Sequence, residues 1–285
     1  MPRAKAVPYR DLQDIYDAHQ VVGVFALFSG GHDSLAAAHV ASQMPGFAGL
    51  IHVDTTTGLK ETRQFVNETA AAHGWPLYVG RPYIGYESLI VKSGFPGPAM
   101  HQIMYDRLKD RTLRQILKEI KAKSPLAKVK RARFVLVSGV RQQESDRRAE
   151  ILTGIHEEES RIWLPAIVDM TATDVTHYIR DHGLKRSPVK DKIHMSGECF
   201  CGAFSRPGEL QELEYWFPYQ AQRIKYWQGL TIKAAELKDW EVKEGLRPAD
   251  ETISPRHCGW GWKDGLPLGQ MSFQMCFHCR SNGEQ

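Results

Sequence analysis

The apolar run Val21 to Phe28 passes directly into Ser29-Gly30-Gly31-His32-Asp33-Ser34, and no other stretch constrains the fold as tightly. Apolar residues ending in paired glycines and two hydroxyls, then the helix formers Leu35-Ala36-Ala37-Ala38-His39-Val40-Ala41, read as strand, phosphate-binding loop and helix. Two consecutive glycines reach positive φ without strain, so several amides turn inward and form a concave anion site at the positive end of the helix. Ser29 and Ser34 add hydroxyl donors, and Asp33 is expected to cap the helix. A Walker loop needs a Gly-Lys-Ser/Thr ending and a dinucleotide fingerprint needs a third glycine; this loop has neither and is of a different kind.

The rest of the chain continues the alternation. Strands are expected at 21–28, 49–54, about 77–79 and 134–138, and helices at 34–43, 60–73, about 100–123 and 172–182. Gly74 is a natural helix stop, the cluster Gly94-Phe95-Pro96-Gly97-Pro98 breaks the chain before the long helix, and Thr171 with Asp174 resembles a capping box. Such alternation predicts an α/β fold, a doubly wound parallel sheet covered on both faces. Ligands bind such sheets beyond the carboxyl ends of the strands. That places the 29–34 loop, Asp54-Thr55, Gly80-Arg81 and Ser138-Gly139-Val140-Arg141 around one crevice.

Several segments carry a family resemblance, in a consistent chain order. They are Ser29-Gly30-Gly31-His32-Asp33-Ser34, then Val53-Asp54-Thr55 with Gly58-Leu59-Lys60-Glu61-Thr62, then Gly139-Val140-Arg141 followed by Glu144-Ser145 and Arg147-Arg148-Ala149, then Pro165-Ala166-Ile167-Val168-Asp169-Met170-Thr171 with Asp174-Val175 and Tyr178. Together they resemble the pyrophosphatase-loop (PP-loop) proteins of the adenine nucleotide α-hydrolase superfamily, which holds ATP pyrophosphatases and phosphoadenosine phosphosulfate (PAPS) reductases. The resemblance spans roughly residues 20 to 190. It implies a Rossmann-like nucleotide domain over 1–190 that binds ATP with Mg2+, or PAPS, and acts at the α-phosphate. Ser29, Gly30, Gly31, His32, Asp33, Ser34, Asp54, Thr55, Gly80, Arg81 and Gly139 would flank the nucleotide. Arg141, Arg147 and Arg148 are candidates for holding phosphate or sulfate through paired guanidinium donors, with solvated helix positions as the alternative for the last two. Asp33, Ser34, Lys109 and Arg141 are the expected catalytic set; a lysine in the helix corresponding to that of Lys109 approaches the phosphosulfate in sulfonucleotide reductases.

The cysteines depart from the reductase patterns. Thioredoxin-dependent PAPS reductases attack with a cysteine in a short Glu-Cys-Gly-Leu/Ile-His tail, whereas this sequence reads Cys276-Phe277-His278-Cys279 near its end; the cluster-bearing reductases place a Cys-Cys pair where this chain has Met104-Tyr105. The chain offers Cys199-Phe200-Cys201, Cys258 and the Cys276/Cys279 pair instead. Cys199, Cys201, Cys276 and Cys279 together make a tetrahedral thiolate set suited to a 4Fe-4S cluster or Zn2+, with Cys258 as a substitute ligand; inert buried thiols are the alternative. Residues 191–285 would form a small, aromatic-rich helical subdomain carrying this cluster.

Five cysteines, an odd number grouped late, fit a reduced compartment with metal or redox duty better than a disulfide framework. No apolar run reaches the roughly 18 residues that span a bilayer, and Met1-Pro2-Arg3-Ala4-Lys5 leads into no secretory apolar segment, so a cytoplasmic protein without membrane contact is expected. From Arg107 to Arg133 eleven Lys or Arg face only Asp110 and Glu119, a local balance of +9 in a chain of net +4. That region is either a solvated face or a nucleic-acid surface. The leading expectation is ATP cleavage to an adenylylated intermediate and pyrophosphate, coupled to sulfur transfer from a sulfur donor or reductant protein. The alternatives are reduction of PAPS or adenylyl sulfate to sulfite, and a non-catalytic nucleotide-dependent module that binds nucleic acid through 107–133.

Overall fold

The computed structural model describes residues 5–6, 11–142, 155–254 and 257–261. Its centre is a sheet whose strands are β1 (Lys5–Ala6), β2 (Val21–Leu27), β3 (Phe47–Val53), β4 (Leu77–Gly80), β5 (Arg133–Ser138), β6 (His156–Glu158) and β7 (Arg161–Pro165), in the order β1-β6-β7-β5-β2-β3-β4. The five strands from β7 to β4 are parallel, and β6 and β1 add an antiparallel edge. From β2 the chain winds outward through β3 to β4, then returns to β5 on the other side of β2. The strand order thus reverses between β2 and β5, which is where an open α/β sheet leaves a crevice.

Helices cover both faces, as the alternation predicts. On one face α1 (Leu12–Ala18), α2 (His32–Ser42), α3 (Lys60–His73) and a helix over Ala172–Asp181 close the core around Val24, Ala26, Leu50, Val135 and Val137. Helix α2 buries Ala36, Ala37, Ala38 and Ala41, small side chains that let it sit close between the sheet and its neighbour. The Ala172–Asp181 helix starts with the expected capping box, Thr171 and Asp174 bonding reciprocally, and α3 stops at Gly74 with φ +64°. On the opposite face a helix over Arg111–Lys123 lays Leu113, Ile116 and Leu117 on Phe25, Ile51, Phe134 and Leu136.

A third cluster lies beside the carboxyl ends of the strands. Helix α4 (Tyr86–Ser93), α5 (His101–Tyr105) and the helices over Glu209–Trp216 and Pro218–Lys243 meet there around Leu59, Phe95, Phe200, Trp227 and Trp260. This core takes side chains from both sides of residue 190.

Three expectations change in detail. The helix expected over 100–123 is broken by one π-helical turn, Asp106–Asp110, between α5 and α6 (Arg111–Lys123). Asp33 does not cap α2: the helix already begins at His32, with Gly31 as N-cap and no side-chain cap bond, because the Leu35 amide closes on the Gly31 carbonyl at 2.9 Å. Only Gly30 takes positive φ, +81°; Gly31 is extended, and its need is for space, since a Cβ there would come within 3.3 Å of the Ser196 Cβ. Among the described residues no helix is long and apolar enough to cross a membrane.

Candidate active site

The 29–34 loop is wired internally. Ser34 Oγ donates to the Gly31 carbonyl at 3.0 Å, accepts from the Ser29 amide at 3.3 Å, and lies 3.0 Å from Ser29 Oγ. The arrangement holds the first amides of α2 open toward a cavity of about 340 Å³ lined by the loop, Gly139, Lys190 and Ser196. Gly139 touches the loop so closely that a Cβ would stand 2.7 Å from the Asp33 carbonyl. Arg141, two residues on, donates from Nε to Asp33 Oδ1 at 2.8 Å, so the end of β5 fixes the start of α2 at the switch point. Asp33, Ser34, Gly139 and Arg141 therefore converge as expected, and Arg147 and Arg148 lie outside the described residues.

His32 is buried in the wall of this cavity, with its Nε2 3.7 Å from Asp191 Oδ1 and without a hydrogen bond. Burial, and then Arg186, push its pKa below the usual imidazole value, against the opposing pull of Asp191.

Beyond β3, Asp54 is almost fully buried. Its carboxylate accepts from the Thr56 amide at 3.0 Å and from Arg81 Nε at 2.8 Å, with Arg63 Nη1 at 3.5 Å. Burial pushes the carboxyl up, but these donors outweigh it and hold Asp54 below the usual carboxylate range. Thr56 takes φ +65°, a strained conformation for a branched residue, and Arg223 Nη2 clamps its carbonyl at 2.6 Å. Thr55 is fully buried and donates to the Glu198 carbonyl at 2.7 Å. Gly80 pairs with the Asp54 amide at 2.9 Å and leaves room for Ile116. Asp54 and Arg81 thus meet as an ion pair, while Thr55 fastens this turn to the 196–200 segment.

That segment joins the cavity at the 29–34 loop to the cysteines. Thr62 Oγ1 donates to the Ser196 carbonyl at 2.7 Å, the Leu59 amide to Gly197 at 2.8 Å, and the Phe200 amide to Thr57 Oγ1 at 3.0 Å. Thr57 in turn donates its hydroxyl to Cys199 Sγ at 3.4 Å. Lys109 Nζ, carried on the π-helical turn, reaches Glu198 Oε2 at 3.2 Å. π turns of this sort recur at functional sites because the extra residue re-aims a side chain. Burial opposes the Lys109 charge, but Glu198 and Cys199 more than compensate and hold it firmly protonated. The Cys201 thiol donates to Cys199, and with Lys109 and Thr57 this overcomes burial and Glu198 to bring Cys199 down to about 6. The same bond and burial push Cys201 far up. The result is a thiolate and thiol side by side in a cavity of about 210 Å³, walled by Met104, Tyr105, Phe204 and Trp260. Thr57, Lys190, Ser196 and Glu198 were not anticipated as site residues; the small residues Ser196 and Gly197 just before Cys199 are the only local hint.

The metal expectation finds two of its ligands here. Cys276 and Cys279 lie outside the described residues, and Cys258 lines a separate cavity of about 590 Å³ with Glu236 and Asp239, where burial first and then these carboxylates raise its pKa. Among the described residues no three His, Cys, Asp or Glu side chains gather to hold a metal, and the other half of the expected ligand set lies outside them. The oxygen donors of Asp33 and Ser34 suit Mg2+, a hard cation.

In the basic region, Lys109, Arg111, Arg114 and Arg133 pair with Glu198, Asp106, Asp110 and Glu157 respectively, and Arg114 also with Glu159. The exposed cations Lys118, Lys123, Lys128, Lys130 and Arg131 lie along α6 and the loop that follows it. These pairs offset part of the +9 and leave the exposed cations on α6 and the following loop in excess.

Residues 23–200 match the family model of the phosphoadenosine phosphosulfate reductase domain. The crystal structure of phosphoadenylyl-sulfate (PAPS) reductase from Candida auris, in a phosphate complex, is similar at 18% identity and a TM-score of 0.44, over 59% of this chain and 77% of that one. No curated protein matches this chain. The match over 23–200, running from β2 through the 29–34 loop to Cys199, shows that the chain belongs to the phosphoadenosine phosphosulfate reductase domain family.

Proposed function

We propose that this chain activates an adenine nucleotide at its α-phosphate on the 29–34 loop and couples that step to sulfur transfer through Cys199, with ATP as the leading nucleotide. One observation carries the reading: the chain that lines the phosphate cavity at Ser196 reaches the thiolate at Cys199 three residues later. Three residues span at most about 11 Å, so the two groups are near enough for one extended substrate to reach both.

The loop amides, Ser29, Ser34 and the α2 dipole receive the β- and γ-phosphates. A nucleophilic atom of the acceptor attacks the α-phosphorus in line, and pyrophosphate leaves with the bonding pair. Asp33 and Ser34 would hold magnesium, which would supply charge neutralisation at that leaving group. Arg141 keeps Asp33 oriented. Sulfur delivered to Cys199 as a persulfide then displaces AMP from the acceptor, and the Cys201 thiol beside it resolves the resulting mixed disulfide. A dithiol reductant restores the pair.

Lys109 beside Cys199 favours a second reading, reduction of PAPS. The Cys199 thiolate would attack the phosphosulfate sulfur, adenosine bisphosphate would leave, and Cys201 would release sulfite by forming a disulfide with Cys199.

Anaerobic incubation with Mg-ATP and, separately, with PAPS plus a dithiol separates the two. Pyrophosphate from ATP, lost in Asp33→Ala and Ser34→Ala, supports the first; sulfite from PAPS with ATP untouched moves the assignment to the second. Neither product, from a protein that binds neither nucleotide, overturns both.

A further inference from the structure

The cavity beside the 29–34 loop has a second wall, the segment that carries Lys190 and Ser196. The backbone there is pinned. Val189 and Ile193 are buried, the Lys190 amide donates to Oγ of the fully buried Ser187 at 3.3 Å, and the Ile193 and His194 amides close back on the Val189 and Lys190 carbonyls at 3.0 Å. The Lys190 side chain is held by one bond, from Nζ to the His194 carbonyl at 2.6 Å, which leaves two of its three ammonium donors. Neighbouring cations are matched by carboxylates: Arg141 by Asp33, Arg186 by Asp191 and Lys185 by Glu68. Among the described residues no carboxylate pairs with Lys190, so it brings to this cavity a positive charge that the fold leaves unmatched.

The loop amides and hydroxyls are fixed in place and serve the phosphate that lies against them, whereas a lysine on a separate element reaches a group further along the ligand. At about 340 Å³ the cavity is roughly ten times one water's share of about 30 Å³, which leaves room for more than one phosphate. Nε2 of His32, in the same lining, is also buried without a hydrogen bond, a second polar group that the fold leaves for a ligand. We propose that Lys190 binds the terminal phosphate of a nucleoside triphosphate and thereby selects a triphosphate over a diphosphate. The inference rests on the reading that the loop holds the phosphates of a nucleotide, and it adds which residue counts them. The loop takes the phosphate next to the reacting one and the ammonium takes the last, so a ligand without the last phosphate loses this charge-assisted contact and keeps the others.

Titration calorimetry of the full chain with the magnesium complexes of α,β-methylene ATP and α,β-methylene ADP, neither cleaved between the α- and β-phosphates, tests this directly. Lys190→Gln is expected to weaken the triphosphate about ten- to a hundredfold and the diphosphate less than about threefold. Amine acetylation of the wild type, read by mass spectrometry, gives a second measure that needs no variant. The triphosphate analogue is expected to protect Lys190 and to leave the exposed Lys185 and Lys225 reactive, and the diphosphate analogue to leave all three reactive. Equal losses for the two analogues in Lys190→Gln, no loss for either, or equal reactivity of Lys190 with either analogue bound overturns this inference alone. A wild type that binds neither analogue overturns it together with the proposed function.

Discussion

Replacing Lys109 by Met removes the cation beside Cys199 and leaves Glu198 without its partner. An opposite charge at contact range moves a pKa by about one to three units, so the Cys199 thiol is expected to rise from about 6 to between about 7 and 9. At pH 7 the thiolate fraction then falls from roughly 90% to between roughly 50% and 1%. Thiolate nucleophilicity rises about threefold per unit of pKa, which offsets much of that loss, so a single alkylation rate at pH 7 changes by only a few-fold in either direction. The midpoint of the pH profile carries the information. Iodoacetamide labelling from pH 5 to 10, read at each cysteine by tandem mass spectrometry, gives that midpoint directly. The expected wild-type value for Cys199 is about 6, shifted up by at least one unit in Lys109→Met, while Cys258, whose pKa is raised, titrates late in both. A wild-type midpoint near the ordinary thiol value of about 8.5, or one that Lys109→Met leaves unmoved, refutes the thiolate site.

Three further predictions concern the scaffold. Gly139→Ala places a Cβ against the Asp33 backbone and is expected to cost about 1–3 kcal/mol of stability and to weaken nucleotide binding at least tenfold, read by denaturant unfolding and calorimetry; unchanged binding would mean that the loop tolerates displacement. Arg161 is 1% exposed and bonds Asp110 Oδ1 at 2.5 Å, with Glu158 Oε1 at 3.0 Å, so Arg161→Met leaves both carboxylates to Arg114 alone and is expected to lower unfolding free energy by about 1.5–3 kcal/mol. His39 bonds Tyr178 Oη at 2.9 Å, and its pKa is lowered by burial and then by His182 and His73. Because the folded protein resists protonating it, this contribution is complete above the unfolded value of about 6.5 and is lost as the pH falls below it. Tm measured from pH 8 to 5 should therefore drop more steeply in wild type than in His39→Gln, and equal slopes would refute the assignment.

The parts of this fold that were legible in the sequence are those written in local pattern. Val21–Leu27 is apolar and runs on into the Gly30-Gly31 pair, α3 ends at a glycine that takes the left-handed conformation, and Thr171 and Asp174 sit three apart as a cap requires. The convergence of Asp33, Gly139 and Arg141 followed from topology, since strands β2 and β5 are neighbours. The thiolate site was not legible in the same way. Thr57 and Cys199 are 142 residues apart, and Lys109 faces Glu198 only because one π-helical turn, with no distinctive composition, re-aims the helix. Cys199 and Cys201 read as metal ligands because spacing shows that two thiols share a turn but not which cation faces them. Arg161 reads as a surface residue by type, and only its distant partner Asp110 reveals why it is buried.

The central claim, cleavage at the α-phosphate, is tested most directly by a single turnover of [γ-32P]ATP with excess enzyme, acceptor and magnesium, the products separated by thin-layer chromatography. The account predicts label in pyrophosphate, with AMP or an adenylylated acceptor in equal amount and the release lost in Ser34→Ala. Label appearing in orthophosphate with ADP as its partner would place the chemistry at the γ-phosphate and contradict it.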